Sequence, residues 1–207
     1  MRSPVINHES INGLVDADPI FGDIVSRYGV PPSWSRPEGF ETMCRIILEQ
    51  QVSLSSAKAT YLKLCDLIDH VTPERLAMSS IEKMRAATVS RQKASYIIGL
   101  AKEVLEGRFD FALLSEVSIE EATARLLSIR GIGQWSAGVY LLFCLQAPDI
   151  FPSGDIALIR TAKELWQINS STDLNTYAEM RWKGYRSTAA FLMWHFYLCK
   201  RNREFVI

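Results

Sequence analysis

The chain has 207 residues, with 23 basic and 23 acidic side chains and a formal net charge of zero. Its length fits one substantial domain or two small lobes, and a composition 48% hydrophobic and 22% charged excludes a disordered chain. The neutral balance argues against gripping a polyanion by bulk charge, although backbone amides hold phosphates without any lysine.

In chain order the pattern is helical almost throughout. Helices are expected at roughly 19–28, 38–50, 55–69, 73–78, 81–87, 91–106, 119–128, 135–147, 155–167, 173–181 and 187–201 from apolar residues spaced three and four apart. Thr72 before Pro73 fits an N-cap with proline at the first helical position. Ser79-Ser80-Ile81-Glu82 and Ser118-Ile119-Glu120-Glu121 fit capping boxes. Pro31-Pro32-Ser33-Trp34-Ser35-Arg36-Pro37 reads as a loop. No segment alternates with a period of two, so no sheet is expected. Cys44, Cys65, Cys144 and Cys199 stand singly without a CxxC pair, which points to free thiols rather than zinc or iron–sulfur ligation. The longest apolar run, Val139 to Leu145, is too short for a bilayer. The N-terminal stretch has no apolar signal core, so no membrane association and an intracellular location are expected, in the cytoplasm or nucleoid if the source is bacterial.

The most informative stretch is Leu126-Leu127-Ser128-Ile129-Arg130-Gly131-Ile132-Gly133-Gln134-Trp135-Ser136-Ala137, between two helices. Two glycines flank one isoleucine, and glycine reaches positive φ cheaply, so the chain can reverse there. Ile132 then tucks between the helices. The amides of Gly131, Gly133 and Gln134, with Ser136 beside them, open the next helix and lack intrahelical acceptors. With the helix dipole they make an anion site suited to one phosphate. The hairpin carbonyls of Leu127, Ile129 and Ile132 face the other way and offer a place for a monovalent cation, Na+ or K+. A plain helix–turn–helix connection has the same glycine pattern.

Asp155 follows Pro152-Ser153-Gly154 and opens an apolar-periodic helix. An aspartate there is a favoured N-cap. Trp135 and Asp155 are also separated by one helix, one loop and a return, which allows the carboxylate to sit beside the hairpin. The helix dipole favours negative charge at that position.

Hairpin, Trp135 and Asp155 together resemble the helix-hairpin-helix-GPD superfamily of base-excision DNA glycosylases, and within it the 3-methyladenine DNA glycosylase II group. The resemblance covers roughly residues 14–200. Glu49-Gln50-Gln51-Val52-Ser53 matches that group's QQ-x-S helix end, Ser90-Arg91-Gln92-Lys93-Ala94-Ser95-Tyr96-Ile97 its SxxKAxYI stretch, and Trp182-Lys183-Gly184-Tyr185-Arg186-Ser187 with Trp194 its WxPxRS…W ending. Gly184 stands where the group has proline, which is expected to loosen the turn. Thr88-Val89 stands where it often has Gly-Leu or Gly-Phe. No β-rich segment precedes the helices, so the compact form of the family is implied.

The resemblance implies an all-α helix-hairpin-helix-GPD fold: one catalytic unit over residues 1–207 with two lobes and a cleft. The expected lobes are 40–150, carrying the hairpin at 129–134, and 1–39 with 151–207. It implies a monomer acting on double-stranded DNA that contains damaged bases. Asp155 is the expected catalytic residue, stabilising positive charge on the sugar and orienting the attacking water. Some members use a lysine nucleophile where this chain has Trp135, and tryptophan forms no Schiff base. A monofunctional enzyme that leaves an abasic site is therefore implied, with no iron–sulfur cluster and no cofactor beyond the hairpin cation. Trp135 and Trp194 match base-pocket positions, with Tyr140 nearby, and electron-rich rings suit a cationic N3- or N7-alkylated purine. Gln51 falls where relatives insert a wedge into the stack; a helix-end residue touching a phosphate is an equal reading. Arg186 and Ser187 fall near the active site, where Arg186 equally fits a structural ion pair. Glycosylases for hypoxanthine or another neutral lesion, and a non-catalytic DNA-binding module, are the competing readings.

Overall fold

The computed structural model describes residues 4–32 and 34–203. Ser33, within the expected loop at 31–37, lies outside the described residues. The elements are α1 (His8–Ala17), α2 (Ile20–Tyr28), α3 (Phe40–Glu49), α4 (Leu54–Ile68), α5 (Pro73–Ala77), α6 (Ile81–Ala86), α7 (Arg91–Leu105), a 3-10 turn (Ala112–Ser115), α8 (Ile119–Ser128), α9 (Gln134–Phe143), α10 (Ile156–Leu165), α11 (Ser171–Arg181) and α12 (Arg186–Cys199). Among the described residues there is no strand, and no helix is long and apolar enough to cross a membrane. Among the described residues no disulfide joins the four cysteines, and only Cys44 is fully buried.

The chain divides into two compact units. One holds residues 36–140 and the other the described residues of 1–35 with 141–203. Residues 141–150, which the sequence reading grouped with the central lobe, thus belong with the terminal segments. Their contacts explain this: Phe143 packs on Phe191 and Trp194 at 5.1 and 5.4 Å between ring centroids. The Ile150 amide donates to Ser187 Oγ at 2.8 Å.

In the discontinuous unit α12 is the core element. It is buried continuously from Ser187 to Tyr197, the pattern of a helix surrounded on all sides, and it packs against α1, α2 and α10. A second centre joins sequence ends. The buried Asp18 carboxylate accepts Trp166 Nε1 at 2.8 Å, Trp182 Nε1 at 3.0 Å and the Tyr177 hydroxyl at 3.4 Å on one oxygen. Its other oxygen accepts the Ile20 amide at 3.2 Å. In the contiguous unit α7 is the hub, packed on α3, α5 and α6.

Local chemistry explains where elements begin. Thr72 caps α5 with Pro73 in its first turn, as expected. Ser80 and Ser118 cap α6 and α8, accepting the Lys83 and Glu121 amides. Neither completes the expected capping box: Glu82 sits at the second helical position rather than the third, and Glu121 turns outward to pair with Arg125. The reciprocal box occurs at Asn7 and Ser10, at the start of α1, a helix absent from the sequence reading because only Ile11 and Leu14 mark its buried face. The 3-10 turn was also missed. Helix α9 stops at Phe143, four residues before expected. Gln146 turns to φ +49, and its side-chain amide takes the Leu142 and Phe143 carbonyls at 3.0 and 3.3 Å.

Candidate functional site

The hairpin lies in the contiguous unit. Gly131 has φ +94, a region that penalises any Cβ, and a Cβ built there would overlap the inner edge of the Tyr96 ring at its Cγ. Gly133 needs no positive φ; it faces open space, which leaves room for close approach to its backbone. Ile132 is buried, and its amide donates to Ile129 O at 3.1 Å. Among the described residues the amides of Gly131, Gly133 and Gln134 have no hydrogen-bond acceptor, which leaves three donors at the start of α9.

Three residues the sequence reading did not single out support the hairpin. Gln50 Nε2 donates to Gly131 O and to Ser136 Oγ, both at 2.9 Å. Lys93 Nζ donates to Leu48 O at 2.8 Å and Gln50 O at 2.7 Å, closing the carbonyl end of α3. Burial pushes this lysine below its ordinary range. Tyr96 forms the wall against Gly131. The matched stretches at 49–53 and 90–97 are thus the hairpin's scaffold. The signal was present in those motifs, but helices 45 residues apart in sequence meet only in the fold.

Ser136, expected beside the phosphate, is buried with its hydroxyl committed to Gln50, so its side chain supports the hairpin from within. Trp135 is half-buried on the first turn of α9. Tyr140 is not an open base-pocket wall: it is fully buried, its hydroxyl accepts the Gly39 amide at 2.8 Å, and its ring packs on Phe111. Gln51 is exposed between α3 and α4 at φ +57.

Asp155 lies in the discontinuous unit, half-buried, as the N-cap of α10. Its Oδ1 accepts the Ala157 and Leu158 amides at 2.8 and 3.2 Å and Trp194 Nε1 at 3.1 Å. Trp194 is nearly buried between Phe143 and Phe191, so the indole aims its N–H rather than offering a face. Asp155 is thus the N-cap the sequence allowed, and the donors that cap the helix also fix the carboxylate.

Arg186 and Ser187 hold the loop that leads to Asp155. Asp149 takes Arg186 Nε at 2.8 Å on one oxygen and Nη2 at 2.9 Å on the other, and also accepts the Gly184 and Arg186 amides at 2.9 and 3.2 Å. Ser187 Oγ donates to Ala147 O at 2.6 Å. Arg186 is therefore the structural ion pair. The departure at Gly184 does not loosen the turn. Its φ of +88 is closed to proline, and the N–H a proline lacks is bonded to Asp149. The departure at Thr88 carries a cost, since this β-branched residue sits at φ +64, where glycine fits without strain.

Partial burial raises the Asp149 carboxyl, but Arg186 and the two amides outweigh it and hold the group below the ordinary carboxylate range. A depressed carboxylate stabilises the fold above its unfolded pKa and loses that contribution as pH falls through its folded pKa. Wild type is expected to exceed Asp149→Asn by about 1–2 kcal/mol at neutral pH. The difference should persist down to about pH 4, where the unfolded carboxyl begins to titrate, and be lost as pH falls further through the lower folded pKa of Asp149. Chemical denaturation across that range checks it; a gap that persists below the folded pKa excludes the ion pair as its cause.

An all-helical fold with a glycine hairpin at a helix start and a pinned aspartate capping a later helix is the architecture of helix-hairpin-helix DNA-repair proteins. The HhH-GPD superfamily base excision DNA repair protein model matches residues 44–184, and the chain belongs to this family. It is similar to DNA-3-methyladenine glycosylase 2 of Escherichia coli, 30% identical over 169 residues. It is also similar to DNA-3-methyladenine glycosylase of Bacillus subtilis, 29% identical over 172 residues. Each match covers 76% of this chain and 57% of the relative, so the chain spans less than three fifths of these curated relatives. A solved DNA-3-methyladenine glycosidase from Bacillus halodurans is 28% identical with a TM-score of 0.75, over 98% of this chain and 95% of that one.

Proposed function

We propose that this chain is a monofunctional DNA glycosylase that hydrolyses the N-glycosidic bond of flipped-out alkylated purines of the 3-methyladenine or 7-methylguanine type. The observation that carries the reading is the fixed carboxylate of Asp155, held by two helix amides and the Trp194 indole. Family membership and the relatives' names support the lesion class.

The target bond is inaccessible inside a duplex, so the nucleotide leaves the stack. Hairpin amides hold a phosphate. Gln51, exposed on a tip anchored through Lys93 and the Gln50 carbonyl, fills the vacated space. Trp135 supplies an aromatic wall, attracting a cationic base by about 0.5–2 kcal/mol. As the bond breaks, positive charge grows on the sugar and Asp155 stabilises it. The same carboxylate orients the incoming water. Trp194 is a positioning residue for that carboxylate. An alkylated purine is a good leaving group and needs no strong general acid. Trp135 in place of a lysine supports base removal without strand cleavage. One chain carries both hairpin and acid, which supports action as a monomer. The carbonyls of Leu127 and Ile132 accept no hydrogen bond among the described residues, which fits a Na+ or K+ ion that would brace the hairpin.

The test is base release from methylated duplex DNA, with released bases separated and nicks scored before and after alkali. Methylated purines with nicks only after alkali are expected. Nicks without alkali remove the monofunctional assignment, and release of hypoxanthine alone moves the substrate to neutral lesions. Because the chain is neutral overall, log K against log salt is expected to fall well short of the slope of about −9 that ten phosphate contacts give.

A further inference from the structure

A second cationic feature lies on the helix pair that carries Asp155. Arg160 of α10 donates from Nη1 to the Tyr197 hydroxyl at 3.2 Å. Arg201, just past the end of α12, lies 4.0 Å over the same ring and donates from Nη1 to the Tyr197 carbonyl at 3.3 Å. Tyr197 itself is buried, so one ring fixes two guanidinium groups. Among the described residues neither arginine has a carboxylate within ion-pair distance. Glu164, one turn beyond Arg160, is bound to Lys200 instead. Two unneutralised like charges held together repel each other, and guanidinium groups in this arrangement suit a phosphate oxyanion.

The position is informative. Trp194 and Tyr197 share one face of α12, and Arg201, in the turn that follows, folds back onto the Tyr197 ring. Asp155 meets that face at Trp194 and Arg160 meets it at Tyr197, with a rise of about 7 Å along α10 between them. That is on the scale of the separation between neighbouring phosphates of one strand, which rise about 3.4 Å each along the duplex axis. In a chain with no net charge, the cation needed to displace counterions must come from local clusters of this kind.

We propose that Arg160, Tyr197 and Arg201 form a second phosphodiester-binding site, which holds the DNA strand carrying the flipped nucleotide. It rests on the glycosylase reading above. The test compares wild type with Arg160→Gln/Arg201→Gln in the full chain, measuring affinity for abasic-site duplex across a salt series. The slope of log K against log salt is expected to shrink by about 0.9 and low-salt affinity to fall roughly tenfold. Arg160→Lys/Arg201→Lys should retain the slope. If the double glutamine variant melts early, Arg160→Gln at its exposed position carries the same test. Unchanged slope and affinity in a variant that melts like wild type overturn the site. When wild type still releases methylated bases, that failure touches this site alone; a wild type that binds no DNA overturns the site and the reading beneath it. Thermal shift with inorganic phosphate at matched ionic strength separates the sources. A shift lost in the variant, with the DNA slope unchanged, assigns the cluster to a small phosphate ligand and overturns the DNA site.

Discussion

Asp155→Asn is expected to lower single-turnover base release from methylated duplex by roughly a thousandfold, about 4 kcal/mol of transition-state stabilisation. Lesion binding should remain near wild type. The structure makes this substitution unusually clean. Asparagine is as good an N-cap as aspartate, so its Oδ1 can still accept the Ala157 and Leu158 amides and the Trp194 indole. What is lost is the negative charge. Alanine would confuse the two roles by removing the cap, at a cost of about 1 kcal/mol. Melting temperature, abasic-duplex affinity and base release measured on one preparation separate them. An asparagine variant that releases bases at the wild-type rate removes Asp155 from the chemistry.

Gly131→Ala is expected to be the most damaging single-methyl change in the chain. Two penalties coincide: φ of +94 strains any non-glycine residue by about 1–3 kcal/mol, and the new methyl overlaps the inner edge of the Tyr96 ring. Overpacking of that kind costs about 1–3 kcal/mol more. The ring cannot swing aside without disturbing α7, whose Lys93 holds the end of α3. Either the contiguous unit loses about 3–5 kcal/mol, or the hairpin shifts and the Gln50 bond to Gly131 O is broken. Urea denaturation and DNA binding read the two routes. Tyr96→Ala should partly rescue the variant by opening space, leaving only the φ penalty. Gly133→Ala, at a position with open surroundings, should keep stability while weakening DNA binding. Equal stability of Gly131→Ala and wild type would exclude this account.

Much of this was legible before the structure. Most helices announce themselves through apolar spacing and serine or threonine caps, and the hairpin and Asp155 through local chemistry. Three kinds of information were not legible. Helix α1 escaped because its two buried residues give too little periodicity. The scaffold of Gln50, Lys93 and Tyr96 joins segments far apart in sequence, so residue types alone did not say that a lysine would cap one helix and a tyrosine press on one glycine. Roles that depend on burial were also hidden. Ser136 and Tyr140 look available as letters but are enclosed, and Arg186 has its guanidinium spoken for by Asp149. The departure at Gly184 read as a loosened turn until its amide partner was seen.

The two units also differ in when a growing chain can complete them. Residues 36–140 are contiguous, so the hairpin and its scaffold can form as soon as that stretch leaves the ribosome. The aspartate's unit must wait. Asp18 finds its indole partners 148 and 164 positions later, and α12, which packs the rest, is the final helix described. Loop closure over such distances is slow. A nascent chain therefore gains its glycine hairpin well before the Asp155 carboxylate is fixed by its donors, and slow steps in refolding should track tryptophan burial around Asp18 rather than formation of the hairpin.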